Sequence, residues 1–282
     1  MESRIKRPMT EHKIGLMIGE YRAFVERIAW YSVGVINLFA DVDRQNRTAA
    51  DGLGTGTACT WKGHSLILTA EHVLAKAEPD NLAFLLRVDD AINWEGTGRP
   101  EEVVPRVSLP VERIVRCKEH DLAAVVLRAR DLSGFRMRFC ELPKQLARSR
   151  RLRRKGSLIL LGYPTDRIFP LAETKTANVE TGYHAVRPTI LAGTIANPPL
   201  KALSYRYDRE RDVLIAYKPN DPKMKPDGFS GAAVWKERAK RPGRVWTADP
   251  MIFGLQTSWH MTSRLLQVVG APAIRQFLEE RL

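Results

Sequence analysis

The sequence predicts an all-β protein of two β units of similar size, with a helix at each end. Three observations carry this. Short apolar runs recur along the chain, punctuated by Gly, Pro and polar turn residues, which is the pattern of a barrel or sandwich. A basic stretch separates these runs into two sets. Apolar residues take up helical spacing only near the two ends.

The elements follow in order. Ile14, Met17, Ile18, Tyr21, Phe24, Val25 and Ile28 are spaced as on one helix face, so a helix is expected over 10–28, packed on the outside of the main body. Tyr31–Phe39 is rich in β-branched and aromatic residues and predicts a strand, followed by a polar turn region over Asp41–Asp51. The first strand set continues with Gly54–Trp61, Ser65–Thr69, Leu82–Val88, Val103–Val107, Val111–Cys117 and Leu122–Leu127. Residues 129–156 interrupt the pattern. The second set is Ser157–Leu161, Thr176–Val179, Thr189–Thr194, Val213–Tyr217, Ala232–Trp235 and Ile252–Gln256, and a short amphipathic helix spans Ala271–Leu282. The expected organisation is therefore a helical extension (1–29), a first β unit (30–128), a basic connector (129–156), a second β unit (157–270) and a terminal helix (271–282).

Composition narrows the class. The 282 residues are 44% hydrophobic, too apolar for a disordered chain. Three cysteines, Cys59, Cys117 and Cys140, do not make a disulfide scaffold, and an odd count leaves one unpaired. They are expected to be thiols in a reducing compartment, which places the chain in the cytoplasm. The first residues lack the apolar core and small-residue cleavage site of a secretory signal. No apolar run reaches the length of a membrane span, so no membrane is expected as a partner. Forty-five Lys+Arg against 32 Asp+Glu give a net charge of +13. That charge points to an acidic partner but not to a fold.

Three local signals carry chemistry, and their order matters more than any one of them. His72 lies in Thr69–Val73, directly after the apolar run ending at Leu68. Asp121 stands at the mouth of the buried run Leu122–Leu127. Ser230 lies between Gly228 and Gly231 in a turn that leads into a strand. A serine hydroxyl is a weak nucleophile and needs a base to take its proton as it attacks. An imidazole titrates in the right range. An acid on the other ring nitrogen fixes the tautomer and stabilises the imidazolium. Backbone N–H groups must then stabilise the oxyanion, and glycine beside the nucleophile permits the dihedrals that aim them.

In this order and with these flanks, the residues resemble the chymotrypsin/trypsin-like serine peptidases, nearer the bacterial high-temperature-requirement type than the secreted digestive type. The resemblance rests on Gly52–Gly56, Thr69–Val73, Asp121–Ala123, Leu160–Pro164, Gly228–Ala232 and Ile252–Leu255, and spans about residues 30–270. It implies two six-stranded antiparallel β-barrels of chymotrypsin type with the cleft between them. It implies His72 as general base, Asp121 as its orienting acid and Ser230 as nucleophile. The N–H groups of Gly228 and Ser230 would form the oxyanion hole. Met224, Gln256, Thr257, Ser258 and Trp259 are candidates for the substrate cleft. An intruding Trp259 would favour small substrate side chains. No metal and no cofactor is expected.

The chain also departs from the pattern. Phe229 precedes the nucleophile where secreted digestive members carry the Asp that receives a new amino terminus, so no such activation is expected. Neither neighbour of His72 is Cys, so the disulfide of the secreted relatives has no counterpart there. The expected function is an intracellular serine endopeptidase acting on protein or peptide and regulated by a protein partner. The alternative is a binding module of the same fold with a latent triad. Six of the eight residues Arg148–Lys155 are basic. They form either a solvated linker or a contact for an acidic partner or nucleic acid.

Overall fold

The computed structural model describes residues 11–37, 53–75, 77–87, 102–148, 158–176, 179–186, 188–197, 207–217, 226–237, 249–260 and 263–282. Gly52, Met224 and residues 149–155 of the basic run therefore lie outside the described residues.

Helix α1 (Glu11–Ala29) leads into β1 (Ser32–Asn37), β2 (Leu53–Trp61), β3 (His64–Thr69), β4 (Leu82–Leu85), β5 (Glu102–Val107), β6 (Val111–Cys117) and β7 (Leu122–Leu127). The short β8 (Cys140–Glu141) and the single-turn α2 (Leu142–Gln145) follow, within the expected connector. The second half contains β9 (Leu158–Gly162), β10 (Ile168–Thr176), β11 (Val179–Val186), β12 (Thr189–Ala196), β13 (Asp212–Tyr217), β14 (Ala233–Glu237), β15 (Pro250–His260), β16 (Leu265–Gly270) and helix α3 (Ala271–Arg281).

The second unit is a closed six-stranded barrel in the order β12-β13-β16-β15-β14-β9. The first is a curled sheet ordered β10-β11-β5-β4-β1-β2-β3-β7-β6, with β8 added in parallel beside β2. This sheet has ten strands because the β10–β11 hairpin, which follows β9 in the chain, pairs with β5. The strand expected over Thr176–Val179 is corrected here: Thr176 ends β10 and Val179 begins β11, and 177–178 lie outside the described residues. In β10 the short apolar stretch Ile168–Ala172 is interrupted by Pro170, and β11 mixes polar and apolar residues, so the pattern does not reveal them.

Three layers of apolar side chains hold the units together. Val33, Val35, Ile67, Phe84 and Val125 fill the first sheet. Leu158, Leu160, Ile215, Phe229 and Phe253 fill the barrel. A third layer joins the outer faces of both units to Phe24, Val25 and Ile28 of α1 and Ile274, Phe277 and Leu278 of α3. The strands that separate two layers are buried on both faces. In β9, Leu158 and Leu160 face the barrel while Ile159 and Leu161 face the shared layer. This is why β7 and β9 read as continuous apolar runs rather than as alternating strands. Among the described side chains of α1, burial is confined to the inner face, and Ile18 is left 48% exposed.

Candidate active site

His72 lies in a 3-10 turn (Glu71–Leu74) that leaves β3 and is anchored by the buried Val73 and Leu74. Asp121 ends the turn between β6 and β7, with φ +52. Left-handed backbone is uncommon outside glycine, and Asp is among the residues that tolerate it. The two segments dock by backbone and side chain together. Glu71 N–H donates to the Asp121 carbonyl at 3.2 Å. His72 N–H donates to Asp121 Oδ1 at 3.0 Å. The ring Nδ1 lies 3.0 Å from Oδ1 and 2.8 Å from Oδ2. An ionised carboxylate only accepts, so these bonds require the proton on Nδ1, and the neutral ring then presents an Nε2 lone pair. The His72 side chain is 44% exposed and that of Asp121 23%, so the ring is open to the cavity while the carboxylate beside it is partly shielded.

The Ser230 segment is folded by alternating hydrogen bonds. Phe229 N–H donates to the Pro226 carbonyl at 3.1 Å, and Gly228, the third residue of that turn, has φ +91. A type II turn demands positive φ at this position. The Asp227 carbonyl accepts from Thr165 N–H at 3.1 Å. In a trans peptide the N–H points opposite to the carbonyl. Gly228 N–H is therefore turned away from Thr165. Gly231 and Ala232 N–H donate to the carbonyls of Gln256 and Phe229, each at 2.8 Å. Among the described residues, neither Gly228 N–H nor Ser230 N–H has an internal acceptor.

Thr55 joins this segment to both units. Its N–H donates to the Ser230 carbonyl at 2.8 Å and its Oγ1 to the Gly228 carbonyl at 2.7 Å. Tyr163 N–H donates to the same Oγ1 at 3.1 Å. The Thr55 carbonyl accepts from Thr69 Oγ1 at 2.8 Å. Phe229 seals the arrangement from below. It is fully buried in the barrel, and a Cβ on Gly162 would lie 2.6 Å from its ring. The turn is thus held by an apolar anchor.

His72, Asp121 and Ser230 line one cavity of about 810 Å³. Among the described residues no hydrogen bond joins the Ser230 hydroxyl to His72. Such bonds are often long in unliganded sites and tighten with substrate bound. Of the cleft candidates, Thr257, Ser258 and Trp259 line the cavity. Gln256 does not. It is fully buried, and its amide donates to the Ser258 carbonyl at 3.0 Å. A bulge in β15 between Gln256 and Ser258 separates these orientations. His120 also lines the cavity, half-buried beside Glu119.

Tyr207, Asp208, Arg211 and Gln267 line the cavity too, and no sequence motif marks them. They arrive there through the pairing of β13 with β16, which sets Asp212 opposite Val269. Among the described residues the titratable carboxyl and basic groups of the lining are mostly acidic: Glu71, Glu119, Asp121, Asp208 and Asp227 against Lys118 and Arg211. The described lining of this +13 chain therefore carries the opposite sign to the whole. Arg211 is held charged by its hydrogen bonds to Asp212, which raise its pKa above the ordinary guanidinium range. Among the described residues no group of three or more His, Cys, Asp or Glu is arranged to hold a metal ion.

Comparison with known proteins places this geometry in a fold. No family model and no curated protein sequence matches the chain. Solved structures do. The serine endoprotease from Yersinia pestis superposes with a TM-score of 0.51 at 16% identity, covering 98% of this chain and 67% of that one. The scabies mite inactivated protease paralogue S-I1 superposes with a TM-score of 0.52 at 12% identity, covering 90% of this chain and 95% of that one. The fold is the chymotrypsin-like double barrel. An inactivated paralogue among its neighbours means that the fold alone does not decide activity.

Proposed function

From a chymotrypsin-like fold, we propose that this chain is a serine endopeptidase. Ser230 attacks a peptide carbonyl, and its proton passes to His72 Nε2. Asp121 holds the proton on Nδ1 and stabilises the imidazolium that results. The Gly228 and Ser230 N–H groups receive the oxyanion, at a scale of about 10²–10³ in rate for each donor. The imidazolium returns its proton to the leaving amine, and water, deprotonated by the same ring, hydrolyses the acyl-enzyme. No cofactor enters. The observation that carries this reading is the pair of uncommitted N–H groups flanking Phe229, beside the N–H groups of Phe229, Gly231 and Ala232, which are bonded internally.

The substrate is a protein or peptide, and Trp259 on the cavity wall favours small side chains near the scissile bond. We place the enzyme in the cytoplasm, where Cys59, Cys117 and Cys140 stay reduced. A peptidase there needs restraint, which a regulatory protein partner would supply. The basic run Arg148–Lys155 is where an acidic partner or nucleic acid would bind. Among the described residues, no helix is long and apolar enough to cross a membrane.

A fluorophosphonate probe tests the reading. Labelling of the wild type that disappears in Ser230→Ala supports it. The second reading is a binding module with a latent triad, favoured by the missing bond between Ser230 and His72. Absence of labelling under every condition, with candidate partners added, would select that module instead. Cleavage of a peptide library then reads side-chain preference, and dominance of Arg or Lys at the scissile bond would overturn the role given to Trp259.

A further inference from the structure

The described polar network around Arg211 ties the second barrel to the turn that carries Asp121. Nε and Nη2 of Arg211 donate to the two carboxylate oxygens of Asp212 at 2.6 and 2.9 Å. That leaves Nη1, which donates to the carbonyl of Glu119 at 3.0 Å. Asp212 opens β13 of the barrel, and Arg211 immediately precedes it. Glu119 lies two residues before Asp121, in the other unit.

The turn it reaches is weakly closed by its own backbone. Asp121 N–H donates to the Lys118 carbonyl at 3.4 Å, a long bond, and Asp121 itself is left-handed. Glu71 holds the turn from the His72 side, and Arg211 holds it from the barrel side. The guanidinium cannot swing away without abandoning Asp212. The Asp212 side chain has no exposed surface and that of Arg211 is 14% exposed. Asp212 Oδ2 also accepts from Gln267 Nε2 at 2.8 Å and from Asp208 N–H at 3.0 Å. Gln267 Oε1 accepts from Ser258 Oγ at 3.3 Å, which braces the network on the cavity wall. A planar fork that satisfies a buried carboxylate with two donors and a distant carbonyl with a third is a task for arginine that lysine, with its single compact head, does not perform.

We propose that Arg211 is a positioning residue for the reaction. By holding the Glu119 carbonyl from the opposite barrel, it sets the turn that aims the Asp121 carboxylate at His72. The proposal rests on the peptidase reading for its rate effect, but not for the geometry it asserts.

The test uses the whole chain. In the double variant Arg211→Met/Asp212→Asn the strap is gone and no buried carboxylate is left uncompensated, so the barrel stays folded. Expected is a fall in kcat of about ten- to a hundredfold, the scale of a misplaced catalytic group. KM for a peptide substrate stays within about twofold. The low-field proton resonance of His72 Nδ1–H, the signature of its bond to Asp121, moves upfield or broadens. In Arg211→Ala, millimolar guanidinium restores the rate and methylammonium does not. An unchanged kcat with an unchanged resonance in the double variant would overturn the proposal, as would a loss confined to KM. If the wild type never reacts with fluorophosphonate, the peptidase reading fails, and the His72 resonance still decides whether Arg211 positions Asp121.

Discussion

The hydroxyl of Thr55 donates to the carbonyl of Gly228 at 2.7 Å, across 173 residues of chain. Through this bond the first unit holds the Ser230 turn of the second. Thr55 is fully buried, and its hydroxyl also accepts from Tyr163 N–H. Thr55→Val keeps the shape and removes both bonds. Each buried group left without a partner costs about 1–3 kcal/mol. We expect a loss of stability on that scale in urea unfolding, together with slower fluorophosphonate labelling of Ser230. Equal stability and an equal labelling rate would show that the turn is held by other contacts.

Gly231 admits no side chain. Its φ is +88, and a Cβ there would lie 2.0 Å from the Thr55 carbonyl and 2.1 Å from Thr69 Oγ1. Gly231→Ala therefore strains the backbone and pushes the Ser230 turn off Thr55 together. We expect destabilisation beyond the roughly 1 kcal/mol typical of a point substitution. Soluble, wild-type-like Gly231→Ala with intact probe reactivity would contradict this packing.

Asp121→Asn probes the tautomer. An amide can donate to Nδ1 and so favour the proton on Nε2, the wrong nitrogen for a base. Under the proposed mechanism kcat falls by about 10⁴-fold with little change in fold. Circular dichroism and peptide hydrolysis measured on the same sample check both halves. A fall of only a few-fold would separate this site from a working triad.

Alkaline pH should destabilise the fold. Burial pushes the Cys59 thiol well above its ordinary range, and the neighbouring Cys140 adds to the rise. Burial also raises the Tyr217 and Tyr21 hydroxyls. The unfolded chain releases these protons first, at ordinary values of about 8.5 for thiols and 10 for phenols. Stability from these groups is complete below the thiol value and declines as pH rises through and past it. Thermal melts should hold steady from pH 7 to 8 and fall above. Cys59→Ala should flatten the part of the decline that begins near the thiol value. An unchanged slope in that variant would assign the decline elsewhere.

The residues of the candidate site divide by how they are specified. His72, Asp121 and Ser230 could be found because each sits in a local pattern: an apolar strand that ends, a turn, and glycines that permit φ of +91 and +88. The strands β7 and β9 could be found because burial on both faces writes an uninterrupted apolar run. The hairpin β10–β11 could not, since Pro170 interrupts the apolar stretch of one strand and the other mixes polar and apolar residues without a clear period. Nor does any local pattern mark Arg211, Asp212 and Gln267, which meet only because β13 pairs with β16.

By itself, then, the sequence determined the residue types and their order: a histidine after one strand, an aspartate before another, a serine between glycines, and no cysteine beside His72. These are local properties, set by backbone preference and by hydrophobic period. Only the tertiary structure decided which donors are left uncommitted, which carboxylates crowd the cleft of a +13 chain, and that Thr55 and Arg211 tie one unit to the other. The reason is physical. Hydrogen bonds between residues far apart in sequence follow from strand register and barrel closure, and neither is written in any short stretch of the chain.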